Sequence, residues 1–378
     1  MDFTIDKADL LAAVSKCMLA VPDPKHPTEA FRVMRVDATR KKKSAAFIAV
    51  GEACSVDTVA PSENKESGAF NVIPAHLDNV AHSMPPGKIR FTMKGTRVTV
   101  QSVTSKRKAS FESHSIDIKP VDDPGKEAAW QEVDAEELVK GLQAVKAASV
   151  WYSRSDPVAS LLIPTPRGLD LFGCNMYLIA LKETSIRMEG KPIILPAVAS
   201  SVLPLMAAID ANVKIYADDR RVYLENADTL VSASLFAYPF EQNWEHMVSL
   251  FKDVAAVGPT IKLPRLTEGV KSLLRLNGFA GASERNDFGF RLRMDFAGTV
   301  AMQLDLAAAD GRDEFDVEKT GAEFGCVVQT KLFESLLNSS FAGVEDAQIA
   351  YSENGPTKLL IIRSKGITTG IMTAKETP

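Results

Sequence analysis

Residues 192–206 read PIILPAVASSVLPLM, and residues 70–84 read FNVIPAHLDNVAHSM. Each stretch is a short apolar run, then Pro-Ala, then apolar residues at helical spacing. Proline fits the first turn of a helix, because the backbone N–H that it lacks would have no intrahelical partner there. Both stretches therefore predict a strand that leads directly into a helix. Their repetition predicts that the chain contains internally repeated units.

The segments around each joint recur in the same order: an amphipathic helix, strand-like runs, the strand-to-helix joint, then a hairpin. The first helices are predicted to begin near Asp6, Asp134 and Pro264, and the joints to lie near Pro74, Pro196 and Gln329. We therefore predict an α+β protein with three tandem domains, over residues 1–120, 128–250 and 260–378, in each of which two helices pack on antiparallel sheets. Chance alternation of helices and strands is the alternative, and the ordered match of six helices disfavours it.

The composition is that of a globular protein. The chain has 378 residues, of which 46% are hydrophobic and 24% charged. No run reaches the roughly 18 apolar residues of a membrane helix, and the start MDFTIDKADLLAAV lacks secretory features, so we expect a cytoplasmic protein. Four scattered cysteines predict reduced, buried thiols. The net charge of −4 argues against binding to nucleic acid through overall charge but leaves a local basic surface possible.

The sequence contains none of the common catalytic motifs. PPGKIR lacks the glycine spacing of a phosphate-binding loop, and GxSxG, HExxH and GxGxxG do not occur. The acidic run DGRDEFDVE, residues 310–318, lacks the residue order of a calcium loop. We expect a solvated acidic loop there, with a metal site as the less favoured alternative. The sequence predicts a non-enzymatic protein without metal or cofactor, although an active site need not have a local motif.

Four segments carry a resemblance to a known family: MDFTIDKADLLAAV, FNVIPAHLDNVAHSMPPGKIRFTMKGTRVTVQS, GLDLFGCNMYLIALKETSI and DGRDEFDVEKTGAEFGCVVQTKLFESLL. Over essentially its whole length the chain resembles the bacterial DNA polymerase III beta subunit, the sliding clamp. The resemblance implies a non-enzymatic homodimeric ring of six domains with twelve helices around duplex DNA. Twelve helices each about 10 Å wide, set side by side, would leave a hole of about 28 Å. Such a hole is wide enough for duplex DNA.

A sliding ring would face DNA with modest positive charge, because phosphate contacts add affinity without reading sequence. The resemblance and the helix patterns predict these DNA-facing residues: Lys7, Lys16, Lys25, Lys140, Lys146, Arg154, Arg265, Lys271, Arg275 and Lys331. An ordinary solvated helix face is the alternative for any one of them.

The resemblance also implies an apolar pocket for short peptides of polymerases and clamp-loader subunits, between the second and third domains. By position its wall would contain Val158, Cys174, Met176, Tyr177, Leu178, Ile179, Pro239, Ile371 and Met372. This chain has CNMYLI at residues 174–179, where the family typically has threonine, aspartate, glycine, histidine, arginine and leucine. The ending TAKETP also departs from the family. A reshaped pocket and a buried strand edge both remain open.

The subunit interface implied by the resemblance joins the end of the first domain to the third domain of the partner. The residues implied are Lys108, Ala109 and Phe111, with Phe279, Ala280, Gly281 and Ala282 opposite. Alanine at position 109, where the family has a bulky apolar residue, predicts weaker ring closure. The function predicted is a DNA sliding clamp, a processivity factor that tethers a polymerase and needs a loader ATPase to open it. The alternative is a clamp-like interaction scaffold that does not encircle DNA.

Overall fold

The computed structural model describes residues 1–21, 23–41, 43–119, 121, 123–125, 127–149, 159–175, 177–235, 244–249, 251, 254–276, 290–306, 309–317, 321–354 and 357–373. Within them the chain combines α-helices with antiparallel sheets, which confirms the α+β prediction. None of the described helices is long and apolar enough to span a membrane.

The helices begin where the sequence patterns predict. The Asp6 carboxylate accepts a hydrogen bond from the Ala8 N–H at 2.9 Å, and the Asp134 carboxylate accepts one from Glu137 N–H at 2.7 Å, as N-caps do. The described α-helices are α1 (Lys7–Ala20), α2 (Pro74–Ser83), α3 (Ala135–Val145), α4 (Ala197–Ala207), α5 (Trp244–Ser249), α6 (Leu263–Leu274) and α7 (Thr330–Ser340).

The strands repeat with the helices. The first repeat has β1 (Asp2–Asp6), β2 (Met34–Lys41), β3 (Ser44–Val50), β4 (Cys54–Glu66), β5 (Ala69–Val72), β6 (Lys88–Lys94), β7 (Arg97–Ser102) and β8 (Lys108–Glu112). The second has β9 (Gln131–Asp134), β10 (Ala159–Thr165), β11 (Gly168–Cys174), β12 (Leu178–Glu183), β13 (Ile193–Pro196), β14 (Asn212–Ala217), β15 (Arg221–Glu225) and β16 (Thr229–Ser234). The third has β17 (Ala256–Lys262), β18 (Arg291–Phe296), β19 (Thr299–Leu306), β20 (Ala309–Asp316), β21 (Phe324–Gln329), β22 (Asp346–Asn354), β23 (Thr357–Ser364) and β24 (Ile367–Met372).

Each repeat thus runs in one order: a strand, a helix, four strands, a helix and three strands. Helix α5 lies between the second and third repeats and was not predicted. By contacts the chain separates into two compact units, residues 1–139 with 196–236, and residues 140–195 with 237–378. The bounds of the three predicted domains stay a prediction.

In the first unit, one sheet runs in the order β8-β7-β6-β1-β4-β16-β15-β14-β9, with β2, β3 and β5 attached through β4. Helix α1 packs on β3 and β4 and contacts both α2 and α4. Three phenylalanines, Phe3, Phe70 and Phe91, stack within this core with ring centroids 4.8 and 5.8 Å apart. Because α1 contacts α4 and β4 pairs with β16, this core joins elements of the first and second repeats.

The second unit contains two sheets, in the orders β13-β10-β11-β12-β24-β23-β22-β17 and β20-β19-β18-β21. Helix α6 contacts β19 and β20, and α7 contacts β21 and β24. The large buried side chains here include Phe172, Phe296 and Phe333. Elements of the second and third repeats therefore share this core.

Helix α1 packs on the sheet mainly through small side chains: Ala13 and Cys17 are buried, whereas the larger Leu11 and Met18 are half-buried. Small side chains allow α1 to approach β3 and β4 closely. The acidic run at residues 310–318, expected to be a loop, forms most of strand β20.

Candidate nucleic-acid interface

Six of the predicted DNA-facing residues have exposed side chains. They are Lys25, Lys140, Lys146, Lys271, Arg275 and Lys331. Long cationic side chains at exposed helix positions can reach a phosphate while their stems pack on the helix surface. The structure shows that these six residues are exposed, and their contact with nucleic acid stays a prediction.

Lys271 and Arg275 lie one helical turn apart on α6 and line a groove between α6 and the end of α7. The groove has a volume of about 730 Å³, and Leu337 and Phe341 contribute apolar surface to it. Glu268 and Glu345 line it as well, so its formal charges balance. An approaching phosphate would meet two cations and two carboxylates here, which predicts weak, salt-sensitive contacts.

The cationic groups of Lys7 and Arg265 are engaged within the protein. The Lys7 ammonium donates hydrogen bonds to the carbonyl oxygens of Met84, at 2.6 Å, and His82, at 3.2 Å, at the end of α2. The Arg265 guanidinium donates to the Asp313 carboxylate at 2.7 Å and lies 5.2 Å from the centre of the Phe315 ring. Lys7 therefore joins α1 to α2, and Arg265 joins α6 to β20.

The prediction that Lys16 faces DNA is wrong. Its side chain is 2% exposed, and its ammonium donates hydrogen bonds to Asp228 at 2.9 Å, Thr229 at 2.8 Å and Thr58 at 3.3 Å. Thr58 lies on β4, Asp228 in the turn before β16, and Thr229 at the start of β16. An ammonium held by a carboxylate and two hydroxyls inside the first unit cannot contact a phosphate outside it.

The predicted peptide pocket is only partly described. Its members Cys174, Tyr177, Leu178, Ile179, Ile371 and Met372 come together at one end of β11, β12 and β24. Cys174, Leu178, Ile179 and Ile371 are buried, which agrees with the alternative that this segment is a buried strand edge. Met372 is 38% exposed. The phenyl ring of Phe251 packs over Gly370, beside Ile179 in the strand register. The pocket itself stays a prediction.

Asn175 closes the turn between β11 and β12 in this region. Its side-chain oxygen accepts hydrogen bonds from the backbone N–H groups of Tyr177, at 2.9 Å, and Leu178, at 2.7 Å.

Burial raises the pKa of the neighbouring Cys174 thiol to about 12. A thiol with so high a pKa is protonated at neutral pH, so Cys174 contributes apolar packing here and not a nucleophile.

Eight predicted site residues lie outside the described part of the chain. They are Arg154, Val158, Met176, Pro239, Phe279, Ala280, Gly281 and Ala282. Among the described residues, no three His, Cys, Asp or Glu side chains are grouped as a metal ion would require.

The strands at the two joints between repeats follow one rule. Strand β4, the fourth strand of the first repeat, pairs with β16, the eighth of the second, and β12 pairs with β24 in the same way. The fourth strand of the third repeat is β20, and the eighth strand of the first is β8. Both lie at the ends of their sheets in the described chain. Lys108, Ala109 and Phe111 of the predicted interface lie on β8.

Sequence reasoning missed β20 as a strand because aspartate and glycine are rare in strands. The available signal in the sequence was that uncharged residues, Ala309, Gly311 and Phe315, stand at alternate positions among charged ones. Gly311, Asp313 and Phe315 are half-buried, whereas Asp310, Arg312, Glu314 and Asp316 are exposed. A side-chain period of two is typical of a strand with one covered face. The exposed face of this open edge is therefore predominantly acidic.

Neither a protein-family model nor a curated protein matches the sequence. Solved structures match it over its full length. The DNA polymerase sliding clamp from Bacillus subtilis is 12% identical with a TM-score of 0.82, and each chain is covered completely. The DNA polymerase III beta subunit from Thermotoga maritima is 14% identical with a TM-score of 0.82, again with complete coverage. The beta sliding clamp of C. crescentus is 15% identical with a TM-score of 0.81 and 99% coverage of both chains.

The chain therefore has the fold of the bacterial DNA polymerase III beta sliding clamps. At these identities the similarity establishes the architecture and leaves the function to be argued. The resemblance inferred from the sequence is confirmed at the level of the fold.

Proposed function

We propose that this protein is a DNA sliding clamp, in which two copies close head to tail into a ring around duplex DNA. The ring would tether a DNA polymerase, so that dissociation is prevented by topology and not by tight contacts. The full-length match to proteins described as sliding clamps supports this proposal.

The observation that carries the proposal is the repeated strand joint. Two joints within the chain pair a fourth strand with the eighth strand of the following repeat. Applied once more, this rule pairs β20 of one copy with β8 of a second copy. Heterologous pairings of this kind generate a ring when their rotation closes, and in a ring of two copies both β8–β20 pairings would be made. The edges of β8 and β20, which end their sheets in the described chain, would then be covered and not left open for aggregation.

The charges of the two edges support their pairing. Lys106, Arg107 and Lys108 stand at the start of β8. The exposed face of β20 carries three carboxylates, from Asp310, Glu314 and Asp316, and one guanidinium, from Arg312. Opposite potentials across an interface speed association and disfavour the pairing of like edges. Such an interface should weaken as the salt concentration rises.

Sliding requires that DNA be held weakly. The exposed cations on the described helices are few, and the groove beside Lys271 and Arg275 has balanced charge. Phosphate contacts of this kind would carry no sequence information. We propose that the protein has no catalytic step and needs no cofactor, that it works in the cytoplasm, and that polymerase and loader peptides dock near Tyr177 and Met372.

A second candidate function is an interaction scaffold that does not encircle DNA. Two observations favour it: the cationic groups of Lys7, Lys16 and Arg265 bind other groups of the same chain, and α4 carries no charged residue. A scaffold of this kind could remain monomeric. Solution mass therefore separates the two functions.

The test combines light scattering over micromolar dilution with retention on nicked circular DNA. A sliding clamp should be a dimer that stays on the circle through moderate salt, after loading, and leaves when the circle is cut. Protein that is monomeric throughout, and is not retained on the circle, would overturn the clamp proposal in favour of the scaffold.

A further inference from the structure

A small cavity in the first unit has no part in the proposed ring or in its peptide pocket. It lies between the turn that joins β3 to β4 and the segment that follows β8, and its volume is about 210 Å³. Val50, Ile118 and Val121 give it an apolar floor. Ile118 is 4% exposed and packs in a cluster with Val33 and Ile48. The floor is therefore fixed by the core beneath it.

The rim of this cavity is charged. Asp117, Lys119 and Arg221 line it, and Lys119 is exposed. The Asp117 side chain is 81% exposed and lies 4.0 Å from the Arg35 guanidinium, whose nearer partner is Asp37 at 3.1 Å. Two cations and one carboxylate therefore line the rim, and a carboxylate is the ligand group that complements their net positive charge.

Arg221 is positioned to receive that carboxylate. One of its terminal nitrogens donates a hydrogen bond to the Ser232 hydroxyl at 3.0 Å, which fixes the side chain on the sheet. Its charge also reaches Cys54, since it opposes the rise in that thiol's pKa that burial causes. A guanidinium has five N–H donors. Among the described residues, Ser232 is the side chain that the Arg221 guanidinium is seen to contact.

The size of the cavity limits the ligand. Pockets for drug-sized ligands span about 300–1,000 Å³, so this cavity suits one apolar side chain and not a cofactor. Peptide segments that bind by a single apolar anchor with a polar contact beside it match this form. We propose that the cavity is a docking site for a partner peptide that presents one apolar side chain next to a carboxylate.

The proposal can be tested with the smallest ligand of this chemistry. N-acetyl-L-leucine carries one apolar side chain and one carboxylate, and N-acetyl-L-leucinamide is its uncharged match. Both are titrated into full-length protein labelled with ¹³C at the isoleucine δ1 methyl groups. The Ile118 signal is identified by its loss in Ile118→Val. We expect the acid to shift the Ile118 signal, with millimolar affinity, and the amide to bind at least 5-fold more weakly.

Arg221→Gln should reduce the affinity for the acid about 5-fold and leave that for the amide unchanged. The matched control is Arg220→Gln, which removes the same charge one residue earlier and should have no effect. If the methyl spectrum of Arg221→Gln shows misfolding, Lys119→Gln should produce a smaller loss in the same direction. An unmoved Ile118 signal, or equal binding of acid and amide, would overturn the proposal.

The cavity lies wholly within the first unit, so the outcome does not depend on ring closure. A protein that fails to dimerise or to stay on circular DNA could still bind the acid here. A clamp that works on DNA could equally fail this titration.

Discussion

Lys16 shows how far a single residue can depart from its expected environment. A lysine on an amphipathic helix is normally exposed, and the sequence around it gives no sign of a partner. The carboxylate that binds it belongs to Asp228, 212 residues away along the chain. Proximity of this kind depends on how β16 pairs with β4, and helical spacing does not encode that pairing.

Lys16→Met should destabilise the first unit. The change leaves the Asp228 carboxylate without its ammonium partner, and breaking a buried ion pair costs about 3–5 kcal/mol. Asp228 retains 25% of its side-chain exposure, so water recovers part of that loss. We expect a decrease of roughly 2–4 kcal/mol in the free energy of unfolding, measured by urea denaturation. The exposed Lys25→Met is the control and should change it by less than about 0.5 kcal/mol.

Asp2 provides a pH-dependent contribution to stability. The hydrogen bond from the Arg90 guanidinium to its carboxylate, at 2.8 Å, lowers the pKa of Asp2 in the folded protein. A carboxyl group whose folded pKa is depressed stabilises the fold above its unfolded pKa and ceases to do so as the pH falls through the folded pKa. Wild type should therefore be more stable than Asp2→Asn at pH 7.

The difference between wild type and Asp2→Asn should shrink as the pH falls below about 4, the usual pKa of an aspartate. Thermal unfolding of both proteins from pH 7 to pH 3 measures it. A difference that persists unchanged at pH 3 would show that the pair acts through packing and not through ionisation.

At the scale of the element, the end of α1 is fitted against the turn between β3 and β4. A Cβ on Gly51 would lie 2.0 Å from the carbonyl oxygen of Ala20 and 3.0 Å from that of Cys54. Both are backbone atoms, so neither can move without shifting its element. Gly51→Ala should therefore lower the free energy of unfolding by about 2–3 kcal/mol through overpacking.

Gly95→Ala is the matched control for this prediction. Gly95 has φ +60° in the turn between β6 and β7, and no atom lies within 4 Å of its added Cβ. Only backbone strain of about 1 kcal/mol is expected there. If urea denaturation showed an equal decrease in the free energy of unfolding for both variants, Gly51 would have room for a side chain.

The elements themselves were largely predictable from the sequence. Capping residues such as Asp6 and a proline at the first turn, as in Pro74, act locally, so the helix starts follow from short patterns. Strand β20 was not predictable in the same way, because its covered face consists of Gly311, Asp313 and Phe315 packed against α6. The candidate sites were the least predictable part. Whether Cys174 lines a pocket or a core depends on strands that are far apart in sequence.

At the scale of the whole molecule, the open edge of β8 should control assembly. Ser102 N–H donates to the Arg107 carbonyl at 3.0 Å and Ser113 N–H to the Thr96 carbonyl at 2.8 Å, at the two ends of the β7–β8 pair. Hydrogen-bonded and non-hydrogen-bonded pairs alternate in an antiparallel ladder. Ala109 and Phe111 therefore bond to β7, and the Ser110 N–H points to the open edge.

Ser110→Pro should convert a dimer into a monomer. Proline removes the outward N–H while the bonds to β7 remain, and edge strands tolerate it. Ser110→Ala keeps that N–H and should remain dimeric. Light scattering at micromolar concentration distinguishes the two variants. A Ser110→Pro protein that stays dimeric, with an unchanged circular dichroism spectrum, would exclude the β8 edge from the subunit interface.

The repeated joint also has a consequence for how dilution acts on the assembly. In a ring of two copies, four of the six joints would lie within a chain, and their formation would not depend on the protein concentration. Only the two β8–β20 joints would dissociate on dilution. A tandem fusion of two copies through a short flexible linker would place both joints within one polypeptide, with an effective concentration on the order of millimolar. Such a fused ring should stay closed at dilutions at which the two-chain ring dissociates.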